Sequence, residues 1–359
     1  MVDYTTVLLN TVMILVVFVA LLTTVAYLTF AERRVSAYMQ DRLGPNRVGP
    51  WGLLQPLADG LKFVMKEDIT PLEANKVLYT IAPMIAIIPA MLTFAVIPFG
   101  HDLFLRGRVI DLRIADFNVG ILYVFAIASM GIFGIIVGGW ASNNKFSLLG
   151  GLRSASQFIS YEISMGLAII GILMVFGTLN LSNIALYQGG LWFNAVPKWG
   201  ILVQPLGFLI FLVSVFAETN RVPFDLPEAE SELVGGYHTE YSSMKFAFFF
   251  MGEYAAMITA SALIVTLYFG GWQVPYLHNI GFVIPKLGIF HLQQWLVAVM
   301  EVLSFVVKTG FFLFFFLWVR WTLPRFRFDQ LTALGWKVLI PLGILNIVIT
   351  GVLIMYKVI

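Results

Sequence analysis

The chain holds 359 residues, 59% of them apolar and only 12% charged, with a mean hydropathy of +0.88. That composition excludes an ordinary soluble domain, and a net charge of +2 gives no reason to expect nucleic acid as a partner. With no cysteine, the chain has no disulfide, no thiolate nucleophile and no thiolate ligand for an iron–sulfur cluster.

A helix needs about 20 apolar residues to cross a bilayer. Suitable runs lie near 7–30, 77–98, 119–140, 160–180, 201–217, 246–269, 294–319 and 338–356, with 201–217 the weakest. The expectation is an all-α, polytopic integral membrane protein of about eight transmembrane helices, forming one membrane domain over 1–359. The first run lacks the basic segment of a secretory signal, because Asp3 is the only charge before Glu32. It is therefore expected to stay as a membrane helix.

After that span come Glu32-Arg33-Arg34 and then Gln40-Asp41-Arg42-Leu43-Gly44-Pro45-Asn46-Arg47-Val48-Gly49-Pro50. Two Gly-Pro pairs predict a turn there. Helical periodicity returns over 54–66: Leu54, Leu57, Ala58, Leu61, Val64 and Met65 share one face, opposite Gln55, Asp59, Lys62 and Lys66. Phe63 is the one misplaced residue. The segment is too short to span, so an interfacial amphipathic helix is predicted. Its apolar face, laid beside a membrane helix, makes a slot for a lipid-like molecule. A helix that only floats on the headgroups is the alternative.

Further on, Gly131, Gly134 and Gly138 suit close packing of the third span. Glu162 lies near the start of the fourth. The segment Glu218–Glu240 carries Glu218, Asp225, Glu228, Glu230, Glu232 and Glu240, with Arg221 as its one base. Crowded carboxylates at a membrane boundary repel one another and lose solvation, which raises their proton affinity. Pro223 and Pro227 disfavour helix, so a loop gathering the acids near Arg221 is expected. A solvated connector is the competing reading. Inside the spans, Glu253, Glu301 and Lys308 each cost about 2.5–3.5 kcal/mol to insert and should face the protein interior. Glu301 and Lys308 share a helix face, consistent with an ion pair or a proton relay. The Phe311–Phe316 run reads as lipid-facing or packing surface. The four histidines are scattered without metal-ligand spacing, so no metal site is expected.

The expected inside loops carry 15 Lys and Arg, against 6 in the outside segments. That bias places both termini outside and the acid-rich loop in the cytoplasm.

The stretches AERRVSAYMQDRLGPNRVGPWGLLQPLADGLKFVMKED, GWASNNKFSLLGGLRSASQFISYE, AETNRVPFDLPEAESELVGGYHTEYSSMKFAFFFMGEY and LPRFRFDQLTALGWKVLIPL resemble the family of H-type membrane subunits of NADH-quinone oxidoreductase, respiratory complex I. The likeness runs from about Glu32 to Tyr356. It implies a bacterial inner-membrane protein with periplasmic termini, seated where the redox arm meets the membrane arm. In that family's pattern Glu32, Arg33, Arg34, Gln40, Arg42, Asp59 and Phe63 line or shape a quinone channel. Glu162, Arg221, Glu228, Glu230, Glu232, Glu240 and Glu253 belong to the proton-coupling path, with Glu218 and Asp225 beside it. Quinone is then the substrate bound at the interface. FMN and iron–sulfur clusters belong to partner subunits, so NADH oxidation needs those chains. Membrane lipids and the smaller membrane subunits leading to the antiporter-like subunits are further partners. A weaker likeness joins the chain to the membrane anchor of energy-converting hydrogenases. A stand-alone proton-coupled transporter is the other alternative, although no internal repeat supports it.

Overall fold

The computed structural model describes residues 4–105, 108–192, 196–278, 281–284 and 288–356. Helix α1 (Tyr4–Met39) continues well past the apolar run, because the segment after it holds good helix formers and no breaker before Asp41, at φ 50°. The amphipathic segment forms α2 (Gln55–Met65), opened by Pro56 in its first turn and stopped where Lys66 becomes extended. Then follow α3 (Lys76–Leu92), α4 (Gly120–Ala141) and α5 (Lys145–Phe176).

Helix α5 is longer than the expected fourth span. Residues 145–159 read as a polar, glycine-containing loop, yet they are helical from the Asn144 cap onward. Ser147, Ser154 and Gln157 are fully buried there. After α6 (Leu181–Tyr187), the weak fifth run appears as a broken helix: α7 (Gly200–Val203), a break at Gln204, then α8 (Pro205–Glu218). At 1.5 Å per residue α8 is about 21 Å long, short of the roughly 30 Å hydrocarbon core. The remaining helices are α9 (Glu230–Leu233), α10 (Ser243–Tyr268), α11 (Gln294–Thr322), α12 (Phe328–Ala333) and α13 (Ile340–Met355), with a π-helical turn at Leu334–Leu339 joining the last two. Seven helical segments among the described residues are long and apolar enough to cross a membrane, and the chain is an all-α polytopic protein. Small antiparallel ladders, such as Leu103–Leu105 with Arg108–Ile110, occupy connections expected outside.

Helix α10 is the central post. Its C-terminal half, from Ala255 through Tyr268, is almost entirely buried among α3, α8 and α11. Small residues set the closest approaches: a Cβ on Gly134 would come within 2.6 Å of the Ala86 backbone nitrogen on α3. The aromatic run on α11 divides, with Phe312 and Phe316 in the core and Phe311 and Phe314 exposed.

Glu301 and Lys308 do not form an ion pair. Seven residues put them two turns, about 10 Å, apart along α11, and each has nearer partners. Glu301 contacts His101 Nδ1 at 2.6 Å and accepts the His101 backbone N–H at 2.9 Å. Lys308 donates to the carbonyls of Phe269, Gly271 and Gln273, at 2.9, 3.1 and 2.6 Å, just beyond the end of α10.

Candidate functional site

Two cavities meet where the C-terminal ends of α1 and α11 approach the N-terminal half of α10. The larger, about 1010 Å³, lies between α1, α2 and the start of α10. No residue of α2 is buried, so its apolar face is turned to this space rather than into a core. Leu57, Leu61 and Val64 line it from α2, Val25 and Ala26 from α1, and Phe246, Phe250 and Met251 from α10. Its walls are mostly apolar and its rim is polar.

Asp59 stands at that rim. It accepts from Arg33 Nη1 at 2.7 Å and Gln55 Nε2 at 2.9 Å, with Lys62 3.7 Å away. Phe63, the residue out of step with the helical pattern, packs toward Phe246 at 6.2 Å between ring centroids. The Ser243 hydroxyl donates to the carbonyls of Phe63 and Lys66, both at 2.9 Å, tying the end of α2 to the start of α10. Of the seven expected channel residues, Glu32, Arg33, Arg42, Asp59 and Phe63 line this cavity. Arg34 and Gln40 stand outside it and brace the turn: Arg34 donates to the Trp51 carbonyl at 2.8 Å, and Gln40 accepts from Arg42 at 2.7 Å.

The second cavity, about 270 Å³, is polar. Asn220, Arg221, Asp225, Glu228, His238, Glu253, Arg320 and Arg325 line it. Phe250 and Arg320 belong to both cavities and form their common wall. Glu32 is held at this wall, 6% exposed, by the Tyr254 hydroxyl at 2.6 Å, by Arg221 at 3.3 Å and by Arg320. Arg221 also binds Glu253 at 2.6 Å through Nε and lies over the Tyr254 ring, 4.3 Å from its centroid. A third, mainly apolar cavity of about 100 Å³ continues between α3, α4, α5 and α10. Glu253 and Asn220 border it as well as the polar one, and Glu218 stands in its wall.

Local sequence explains the placement of Arg221. Helix α8 ends at Glu218, Asn220 turns the chain at φ 50°, and a second turn follows in which the Phe224 N–H donates to the Arg221 carbonyl at 2.8 Å, leaving the Arg221 side chain buried. The loop is non-helical up to Ala229, as the prolines require, before α9 begins at Glu230. Of its described acids only Asp225 and Glu228 share a cavity with Arg221, whose ion-pair partners are Glu32 and Glu253 from other helices. Glu228 accepts from the Tyr237 hydroxyl at 2.7 Å, and Asp225 from Arg325 at 3.0 Å. Glu232 turns outward to Arg153 at 2.6 Å, while Glu240 accepts from Asn144 at 2.6 Å. Glu162 pairs with the Ser129 hydroxyl on α4. The Glu230 side chain lies outside the described residues.

Burial and the Glu228 carboxylate push Asp225 up to about 7, against the pull of Arg325, Arg320 and Arg221. Burial and the same carboxylate hold the Tyr237 phenol well above its ordinary range. Four residues at the site escape sequence reasoning: His238, Tyr254, Arg320 and Arg325. In the sequence the two arginines carry only a topology signal. His238 reads there as one of four scattered histidines, although its place within the acid-rich segment marks it.

The profile of a family described as NADH dehydrogenase matches residues 12–351. The chain is 52% identical over 342 residues to an H-type subunit of the NADH-quinone oxidoreductase of Cytophaga hutchinsonii, covering 95% of each chain. It is 49% identical to the corresponding subunit of Flavobacterium psychrophilum, over 97% of this chain and 98% of that one. It is also 51% identical to a corresponding subunit of Geobacter sulfurreducens, over 96% and 95%.

Proposed function

Since this chain belongs to the family of H-type subunits of NADH-quinone oxidoreductase, respiratory complex I, we propose that it forms the quinone channel of the assembled complex and couples quinone reduction to proton movement through its polar cavity. The other complex I subunits are its partners. FMN and iron–sulfur clusters are assigned to those chains, which perform the electron transfer. No redox step is assigned to this one. Its work is to admit quinone, hold the tail in an apolar slot, and respond to a charge change at the head.

The observation that carries the reading is the common wall. An apolar cavity suits an isoprenoid tail. Behind Phe250, Arg320 and Glu32 lies a polar cavity large enough for several waters at about 30 Å³ each. A negative charge developing on the quinone side disturbs the pairs of Glu32 with Arg320 and Arg221 first. The disturbance then passes to Glu253 through Arg221, and on to Glu218 and Glu162. Asp225, Glu228, Glu230, Glu232 and Glu240 flank this line.

In the same reading the chain crosses a bacterial inner membrane eight times, Gly200–Glu218 being the broken eighth crossing, with both termini periplasmic. Single cysteines at His278 and Asp329, both exposed, decide the orientation. An impermeant maleimide applied to intact cells should label the first and spare the second.

The channel itself is tested at Gly60. This residue lines the apolar cavity, and a Cβ placed there meets nothing within 4 Å. Gly60→Trp should fill the slot without strain. Long-chain quinone reduction should fall several-fold through a raised KM, while electron transfer from NADH to ferricyanide is unchanged. An assembled Gly60→Trp complex with parental kinetics toward long-chain quinone would remove the channel from this space.

A further inference from the structure

The polar cavity has an odd charge count. Among the described residues, Arg221, Arg320 and Arg325 face Asp225, Glu228 and Glu253 across it, and Glu32 is ion-paired to two of the same arginines. Three cations against four carboxylates leave one negative charge uncompensated. An uncompensated buried charge is costly, so such a cluster holds one extra proton.

His238 is placed to hold it. The ring packs against the adjoining rings of Phe246 and Phe250, both edge-on, with centroids at 5.2 and 5.8 Å. Nδ1 is buried, has no hydrogen-bond partner, and faces Glu228 Oε1 at 3.7 Å. The same Glu228 oxygen already accepts from Tyr237. Imidazole is also the one side chain lining this cavity whose ordinary affinity gives up a proton near neutral pH. We propose that His238 is the resting site of the cluster's odd proton, positioned by the Phe246–Phe250 wall to share that proton with Glu228.

The proposal rests on the coupling reading above and adds a residue to it. No bond is made or broken beyond the transfer of one proton from imidazolium Nδ1 to a Glu228 carboxylate oxygen. The groups that set its balance are Glu228 and Tyr237 from the loop, Arg221 and Asp225 from the turn after α8, Glu253 from α10, and Arg320 and Arg325 at the end of α11. The raised proton affinity of Asp225 fits a cluster one proton short of full ionisation.

The test uses the intact complex in membranes. The pH profile of NADH oxidation by decylubiquinone is compared for the parent and His238→Gln, with ferricyanide reduction as the internal standard. Without imidazole the odd proton must sit on a carboxyl, so a different group sets the alkaline limb. That limb should therefore move by a resolvable fraction of a pH unit or more. Infrared spectra at neutral pH should gain protonated-carboxyl intensity beyond the Asp225 signal already expected of the parent. In His238→Gln/Glu228→Gln the charges balance without an extra proton, and the alkaline limb should vanish whatever the rate. Should His238→Gln fail to assemble, His238→Asn gives the same two readouts.

An assembled variant with the parental limb and no added carboxyl intensity overturns the proposal. The result at Gly60 stands apart from it. Parental kinetics there with a shifted limb here would remove the channel and keep the proton site. The opposite pair of results keeps the channel and removes the proton site.

Discussion

The two main cavities share a wall but are built by opposite means. The larger is bounded on one side by α2, a helix with no buried residue, joined to its neighbours by the Arg33–Asp59 pair and the two Ser243 hydrogen bonds. The smaller is closed by buried ion pairs, two of them with both partners almost free of solvent. An apolar space for a flexible tail needs walls that yield. A space that handles charge needs donors and acceptors fixed before the charge arrives, since buried charges are costly to rearrange. The contrast says that mutations on the two sides of Phe250 should fail differently: through access on one side, through assembly or coupling on the other.

The strongest way to break this contrast is at Arg221. Removing it leaves Glu32 and Glu253 buried and short of their cation, a change that costs about 3–5 kcal/mol. Arg221→Ala should cut the yield of intact complex on a native gel by at least ten-fold. Normal yield would mean that the polar cavity is far wetter and looser than its geometry indicates.

Next in size is Glu228→Gln, which keeps the shape and the contact with Tyr237. The complex should assemble, while quinone reduction and proton pumping fall together, several-fold. A loss of pumping with quinone reduction intact would place Glu228 downstream of coupling.

On the apolar side, Asp59→Ala removes a partly exposed pair worth about 0–1 kcal/mol, so thermal stability should hardly change. Quinone reduction should drop about two- to five-fold, a modest change in KM, with ferricyanide reduction intact. Equal loss of both activities would mean damage to assembly rather than to the slot.

The smallest expected effect on activity belongs to Asp225, whose folded-state affinity is raised from 3.8 to about 7. Between these two values the folded protein binds the proton that the unfolded chain has released. Stability contributed by this group is therefore full at the acid end, declines as pH rises through that window, and is constant above it. Asp225→Asn should flatten that slope in the apparent melting temperature of the purified complex. A slope identical to the parent would assign the pH dependence to other groups.

Much of the fold was legible because membrane helices and an amphipathic helix are one-dimensional patterns. Leu54, Leu57, Leu61 and Val64 declare a face whatever they meet. The N-terminal half of α5 was not, because Ser147, Ser154 and Gln157 look like loop residues until the acid-rich segment buries them. The site was half legible. Composition marked the acids, but partners are chosen in three dimensions. Arg221 sits within ten residues of several carboxylates and pairs with Glu32, 189 positions away, and with Glu253 instead. Nothing in the spacing of Glu301 and Lys308 announced that one would meet a histidine and the other a row of carbonyls.

Lys308 has a mechanical consequence. All three protons of its ammonium point at carbonyls just past the end of α10, so the C-terminal end of α10 is riveted to the middle of α11. Toward the C-terminal end of α11 the same two helices meet α1 through Glu32, Arg320 and Tyr254, where the contacts are ionic or hydrogen-bonded and respond to charge. Two rods riveted at one joint and switchable at another form a lever with its fulcrum at the rivet. Twelve residues, about 18 Å at 1.5 Å per residue, separate Lys308 from Arg320 on α11. A tilt about that joint is felt most at Arg320, beside the partners of Glu32.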